Sequence, residues 1–167
     1  SDFYALALLS EPSDELDAAY PFGGYVTYRI SVLNENYYFG IRRYPYSTDL
    51  AKNPLTFKDI DPAQAGEYPG VPRNPLYGFS PLTAAEVHAQ GEVWCAMLWE
   101  ARAAIVRKHG FSVGNQLILQ LVTDGMKLSP PNPTFTQARD GIILADLVNN
   151  NGANYGELWA AFARRGL

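Results

Sequence analysis

The chain has 167 residues, 47% hydrophobic and 18% charged, with 13 basic against 17 acidic side chains and a net charge of −4. That length supports one domain with a proper core, and mild acidity without a basic stripe argues against nucleic acid or an anionic membrane as partner. No apolar run approaches the roughly 18 residues of a membrane span, and the single cysteine, Cys95, has no partner for an internal disulfide.

Residues 1–10 read as the end of a helix, with Phe3, Leu6 and Ala7 at helical spacing and no signal-peptide pattern before them. The start looks mid-helix, as though cut from something upstream. Pro12 ends the pattern, and loop follows to residue 23. Between Gly24 and Tyr44 the period shifts toward two. The run YVTYRISVL, a turn at Asn34-Glu35-Asn36 and then YYFGI predict a small β-hairpin. Residues 45–82 hold seven prolines, which exclude long helices and central strands. Phe57, Tyr68, Tyr77 and Phe79 within this segment predict a long ordered loop packed on the domain.

The longest helical pattern follows, over 83–109. Thr83-x-x-Glu86 is a capping box that starts it, and Ser80-Pro81 is the competing start. Val87, Gly91, Trp94, Leu98 and Ile105 form an apolar stripe, with Cys95 beside it as a buried structural thiol. Gly91 costs up to about 1 kcal/mol against Ala in a helix, which predicts a close backbone approach there. Further helices are expected over 114–127, from Thr134-x-x-Gln137 to the Asn149–Asn151 run, and over 154–165. Arg164 and Arg165, at that last helix end, read as solvated or dipole-pairing cations. The sum is one mainly α domain spanning 1–167, with a small β-hairpin near its N-terminus.

Little in the sequence is a self-contained catalytic motif. The only histidines, His88 and His109, stand 21 residues apart on one predicted helix, about 30 Å at 1.5 Å per residue, so they cannot share a metal ion. H-E-x-x-H, C-x-x-C, G-x-S-x-G and glycine-rich phosphate loops are all absent. His88 has two readings, a helix-start histidine bonded to a loop or a donor to a developing oxyanion at a cleft mouth. The helix N-terminus favours its neutral form, and a nearby carboxylate would pull the other way.

Six blocks then stand in order: SDFYALAL, GIRRYPYST, NPLTF, VHAQGEVWCAMLWE, DGMKLSPPNPTFTQARDGIILAD and NYGELWAAFARRGL. As a set they resemble the C-terminal part of the fungalysin family of secreted zinc metallopeptidases, which have a thermolysin-like fold. The resemblance covers nearly the whole chain and is weakest over 58–82. It implies an H-E-x-x-H helix and a third-ligand glutamate upstream of Ser1, so zinc belongs to the parent enzyme and no metal ligand to this chain. It implies that Asp2 orients a zinc histidine, and that Arg42 hydrogen-bonds the substrate carbonyl, with Arg43 exchanged for it by a one-residue slip. It gives His88 the stabilisation of the tetrahedral intermediate. The implied partners are a peptide or protein substrate and the N-terminal half of the catalytic unit, and a homo-oligomer could form through the exposed cleft face. Location would be extracellular, and the isolated chain inactive. Many fungal members have cysteines where Pro131 and Gly156 stand, and their lack here suggests a bacterial or otherwise divergent member. A non-catalytic binding module and a structural helical module of the same fold are the rival readings.

Overall fold

A computed structural model describes residues 1–28, 36–78 and 80–167. Among them six α-helices run in order: α1 (Asp2–Leu9), α2 (Gly24–Tyr28), α3 (Val87–His109), α4 (Phe111–Leu128), α5 (Phe135–Asn150) and α6 (Tyr155–Arg164). Two 3-10 turns, Phe57–Ile60 and Pro81–Ala85, interrupt the proline-rich stretch. No helix is long and apolar enough to cross a membrane among the described residues.

Helix α3 is the axis of the molecule. It packs against α1, α4, α6 and both 3-10 turns. Its Val93, Ala96, Met97, Trp99, Ala101 and Ile105 are buried on successive faces, the pattern of a helix enclosed on all sides. Three charged residues on it are buried too, Glu92, Glu100 and Arg102. Arg102 stacks over Trp99, its Cζ 4.5 Å from the ring centroid, and its Nε donates to Asn115 Oδ1 at 2.7 Å.

The expected hairpin is not seen among the described residues. Gly24–Tyr28 is a helical turn, α2, in which the buried Thr27 hydroxyl donates to the Gly24 carbonyl at 3.0 Å. Residues 29–35 of the predicted hairpin lie outside the described residues. Beyond them, Phe39 and Gly40 donate to the Asn36 carbonyl, a turn and not a strand. Among the described residues, pairing in this region consists of two isolated bridges, Tyr20 with Tyr46 and Phe22 with Gly40. Gly40 is required at its bridge, since its φ is +61° and a Cβ would sit 2.0 Å from the Phe22 carbonyl oxygen. Of the β-branched and aromatic residues here Thr27 is buried, while Tyr25, Val26, Tyr28, Tyr37 and Tyr38 are exposed.

The start of α3 also differs. Thr83 lies inside the 3-10 turn that Ser80-Pro81 opens, and its hydroxyl donates to the Ser80 carbonyl. Glu86 is itself the cap, its carboxylate accepting the backbone N–H groups of His88 and Ala89. The Thr134–Gln137 capping box of α5 forms with both of its bonds, and Asn151 closes that helix in the left-handed conformation. Helix α4 begins three residues before the expected 114, directly after Gly110.

Gly91 marks no close approach: an added Cβ would meet nothing within 4 Å. The tight crossing lies between α4 and α5. A Cβ on Gly125 would come 2.9 Å from Ile142 Cα, and one on Gly141 would come 2.7 Å from the Gly125 carbonyl oxygen.

Arg165 overturns its reading as a solvated cation. It is fully buried. Its Nε donates to Glu100 Oε1 at 2.9 Å, and its other nitrogens reach the carbonyls of Asn53, Leu55 and Ser47. Arg164 keeps a half-exposed side chain and reaches Glu100 and the Thr48 carbonyl. Removing one partner of a buried ion pair costs about 3–5 kcal/mol, whereas an exposed one is worth about 0–1. Arg165→Met should therefore lower the denaturation midpoint severely and Arg164→Met only slightly, as measured by chemical unfolding followed by circular dichroism.

Candidate active site

A cavity of about 540 Å³ opens where the N-terminus of α1, the first turns of α3 and the ends of α4 and α5 converge. Trp94, Leu98, Val122 and Ile142 contribute its apolar lining, and Asp2, Arg42 and His88 contribute its polar side chains. Gly91 lies on its wall. The open space beside that glycine is the cavity side of α3, which supplies a reason for a small residue where no backbone approaches.

Asp2 is the polar hub. It is 7% exposed, and its Oδ2 accepts from Arg42 Nε at 2.6 Å and from the Tyr46 hydroxyl at 2.7 Å. Oδ1 accepts from the second Arg42 nitrogen at 3.0 Å, a bidentate pairing whose planar geometry only arginine supplies. Asp2 does not cap α1, which has no side-chain cap bond; its carboxylate pairs with Arg42 and Tyr46. Burial pushes the Asp2 carboxyl upward, but the hydrogen bonds from Arg42 and Tyr46 outweigh it and hold the group below its ordinary value. Arg42 also lies over the Phe22 ring, 5.3 Å from its centroid.

Arg43, next in the chain, does not line this cavity. It is buried, its Nε donating to Glu92 Oε2 at 2.8 Å and a terminal nitrogen donating to the Ala89 carbonyl at 2.8 Å. The pair is interior.

His88 stands in the first turn of α3 with an exposed side chain. Its Nδ1 lies 2.7 Å from Glu86 Oε1, while Glu86 Oε2 accepts the His88 and Ala89 backbone N–H groups. These bonds, the imidazole's first among them, hold the Glu86 carboxyl below its ordinary value. An ionised Glu86 accepts the Nδ1–H, so Nε2 is the nitrogen that faces a ligand, as an acceptor in the neutral ring and as a donor in the protonated one. Glu86 was hidden in the sequence behind the capping-box pattern. The signal that could have revealed it is Glu-x-His at a helix start, since glutamate is not a favoured cap. His109 is elsewhere, its Nε2 2.6 Å from Asn154 Oδ1 near the far end of α3.

Among the described residues no group of three or more His, Cys, Asp or Glu is placed to hold a metal ion. The residues present do not fit metal ligation themselves. Asp2 fits an outer position, because one of its carboxylate's about four acceptor sites is held only by a long bond from the Ser1 hydroxyl to Oδ1, 3.4 Å, which a stronger donor displaces. Cys95, on the cavity wall, is buried, and that burial pushes its thiol far up, away from nucleophilic character.

The fold and this cleft define a helical domain that presents a histidine, an arginine and an aspartate beside an apolar pocket. The chain belongs to the fungalysin metallopeptidase (M36) family, whose family model matches residues 1–167. It is 39% identical to an extracellular metalloproteinase of Pyricularia oryzae over all of this chain and 24% of that protein. It is 36% identical to one of Aspergillus fumigatus over 100% of the chain and 24% of that protein. An extracellular metalloproteinase of Trichophyton equinum is 37% identical over 99% of the chain and 24% of its own length. The chain thus spans about a quarter of the length of these curated relatives.

A carboxyl held low in the folded state contributes stability that is complete above its unfolded value and lost as pH falls through the folded one. Stability measured from pH 2 to 6 should show the wild type exceeding Asp2→Asn by a constant margin above the ordinary carboxyl value of 3.8, the margin closing on further acidification.

Proposed function

We propose that this chain is the C-terminal part of the catalytic unit of a secreted zinc metalloendopeptidase, and that it supplies groups that hold the substrate and stabilise the transition state. The observation that carries the reading is that Asp2, Arg42 and His88 line one cavity. The family membership and the relatives' names as extracellular metalloproteinases support the activity and the location.

When bound by ligands elsewhere in the whole protein, zinc polarises the scissile carbonyl and activates water. This chain's residues act around that centre. His88, as the protonated ring whose Nδ1–H is held by Glu86, donates its Nε2–H to the oxygen that gains charge during attack. Arg42 presents the guanidinium edge left over from Asp2 to a substrate carbonyl. Asp2 accepts an N–H on Oδ1 in place of the Ser1 hydroxyl and so orients an imidazole ligand of the metal. The apolar walls exclude water, which strengthens each of these interactions.

In the full-length enzyme His88→Ala should lower kcat about 10²–10³-fold, the range for losing one oxyanion donor, with KM changed little. Glu86→Gln should lower it in the same direction by a smaller factor. Steady-state hydrolysis of a fluorogenic peptide reads both, and a kcat within twofold of wild type for His88→Ala overturns the assignment. The isolated 167-residue chain should hydrolyse no peptide. Zinc-dependent hydrolysis by that chain, abolished by His88→Ala, would refute the proposed division of labour.

A further inference from the structure

Arg42 and His88 are 46 residues apart in sequence, so no covalent connection sets their spacing. The noncovalent connection is short. Glu92 lies four residues after His88, one turn along α3 on the same face. Its Oε2 accepts from Arg43 Nε at 2.8 Å and its Oε1 accepts from the Tyr44 backbone N–H at 3.0 Å. Arg43 returns a bond to the carbonyl of Ala89, the residue after His88, at 2.8 Å. On the other side of the same segment Asn74 is fully buried. Its amide donates to the Arg42 carbonyl at 2.7 Å and to the Gly40 carbonyl at 3.1 Å, and its backbone N–H donates to the Arg43 carbonyl at 2.9 Å.

We propose that Glu92 and Arg43 are positioning residues for the reaction, a buried clasp that sets the distance between the Arg42 guanidinium and the His88 imidazole. The inference rests on the reading of Arg42 and His88 given above. Neither Glu92 nor Arg43 lines the cavity, so the clasp acts on substrate only through those two neighbours. Both Glu92 oxygens are committed, one to the side chain of Arg43 and one to the backbone of Tyr44. A glutamine there keeps the shape but replaces one acceptor with a donor that faces another donor. The segment carrying Arg42 then has to shift against the turn carrying His88. Misplacing a reacting group by about 1 Å costs up to about 10²-fold in rate.

The test compares full-length, metal-loaded wild type with Glu92→Gln, and with Arg43→Lys as a milder second variant should the first fail to fold. Each is assayed well below its melting temperature. The clasp predicts a kcat about tenfold to a hundredfold lower. It also predicts a parallel loss of affinity for a peptide phosphonate that mimics the tetrahedral intermediate, with affinity for a product peptide changed less than twofold. A purely structural ion pair would lower the melting temperature and leave kcat and phosphonate affinity of the folded enzyme within twofold of wild type, and that result overturns the proposal. His88→Ala and Arg42→Met in the same assays separate the two readings. If they leave kcat/KM intact, the assignment of the site fails. If they lower it while Glu92→Gln does not, the clasp alone fails.

Discussion

A helix enclosed on every side can carry a charge only where a partner from another part of the chain reaches in to meet it. Helix α3 carries three such charges, and the rest of the molecule is arranged to answer them. Glu92 draws in Arg43 and the backbone of Tyr44, Glu100 draws in Arg165 from just beyond α6, and Arg102 is received by Asn115 of α4 and the Trp99 ring. Burying an ion without such a partner costs several kcal/mol. The three answers therefore dictate which segments surround α3 and at what height along its axis.

What was legible in the sequence was local. The Thr134–Gln137 box and Asn151 bound α5 because caps are satisfied within a few residues of themselves. The Gly110 break separates α3 from α4 for the same reason. What was illegible depended on distant segments. Arg165 reads as a solvated helix-end arginine until Ser47, Asn53 and Leu55 are seen to turn their carbonyls toward it. Gly24–Tyr28 reads as strand from its side chains, yet it forms a helical turn that places Thr27 inside.

The site was legible in part and for a different reason. Asp2 and Arg42 were singled out by resemblance, and His88 first by its place at a helix start, and nothing in their spacing would have gathered them at one cavity. Glu86 went unread because a glutamate three residues after a threonine invites the capping-box interpretation, and only the intervening 3-10 turn frees it to face His88. The choice between Arg42 and Arg43 could not be made from identical side chains in tandem. Their partners separate them, a carboxylate at the cavity for one and a carboxylate in the interior for the other. The proline-rich stretch also acquires a purpose, since it delivers Asn74 and its three bonds to the backbone that carries both arginines.

The Arg165 anchor bears on how the protein is made. Its bonds to Ser47, Asn53 and Leu55 bridge 110 to 118 residues of chain, and such distant closures form late because loop entropy must be met first. Synthesis runs at roughly 5–20 residues per second, so these carbonyls wait for their guanidinium until nearly all of this domain has left the ribosome. Glu100 waits as well for the two arginines, Arg164 and Arg165, that reach it. During that interval the face of α3 that α6 covers stays open.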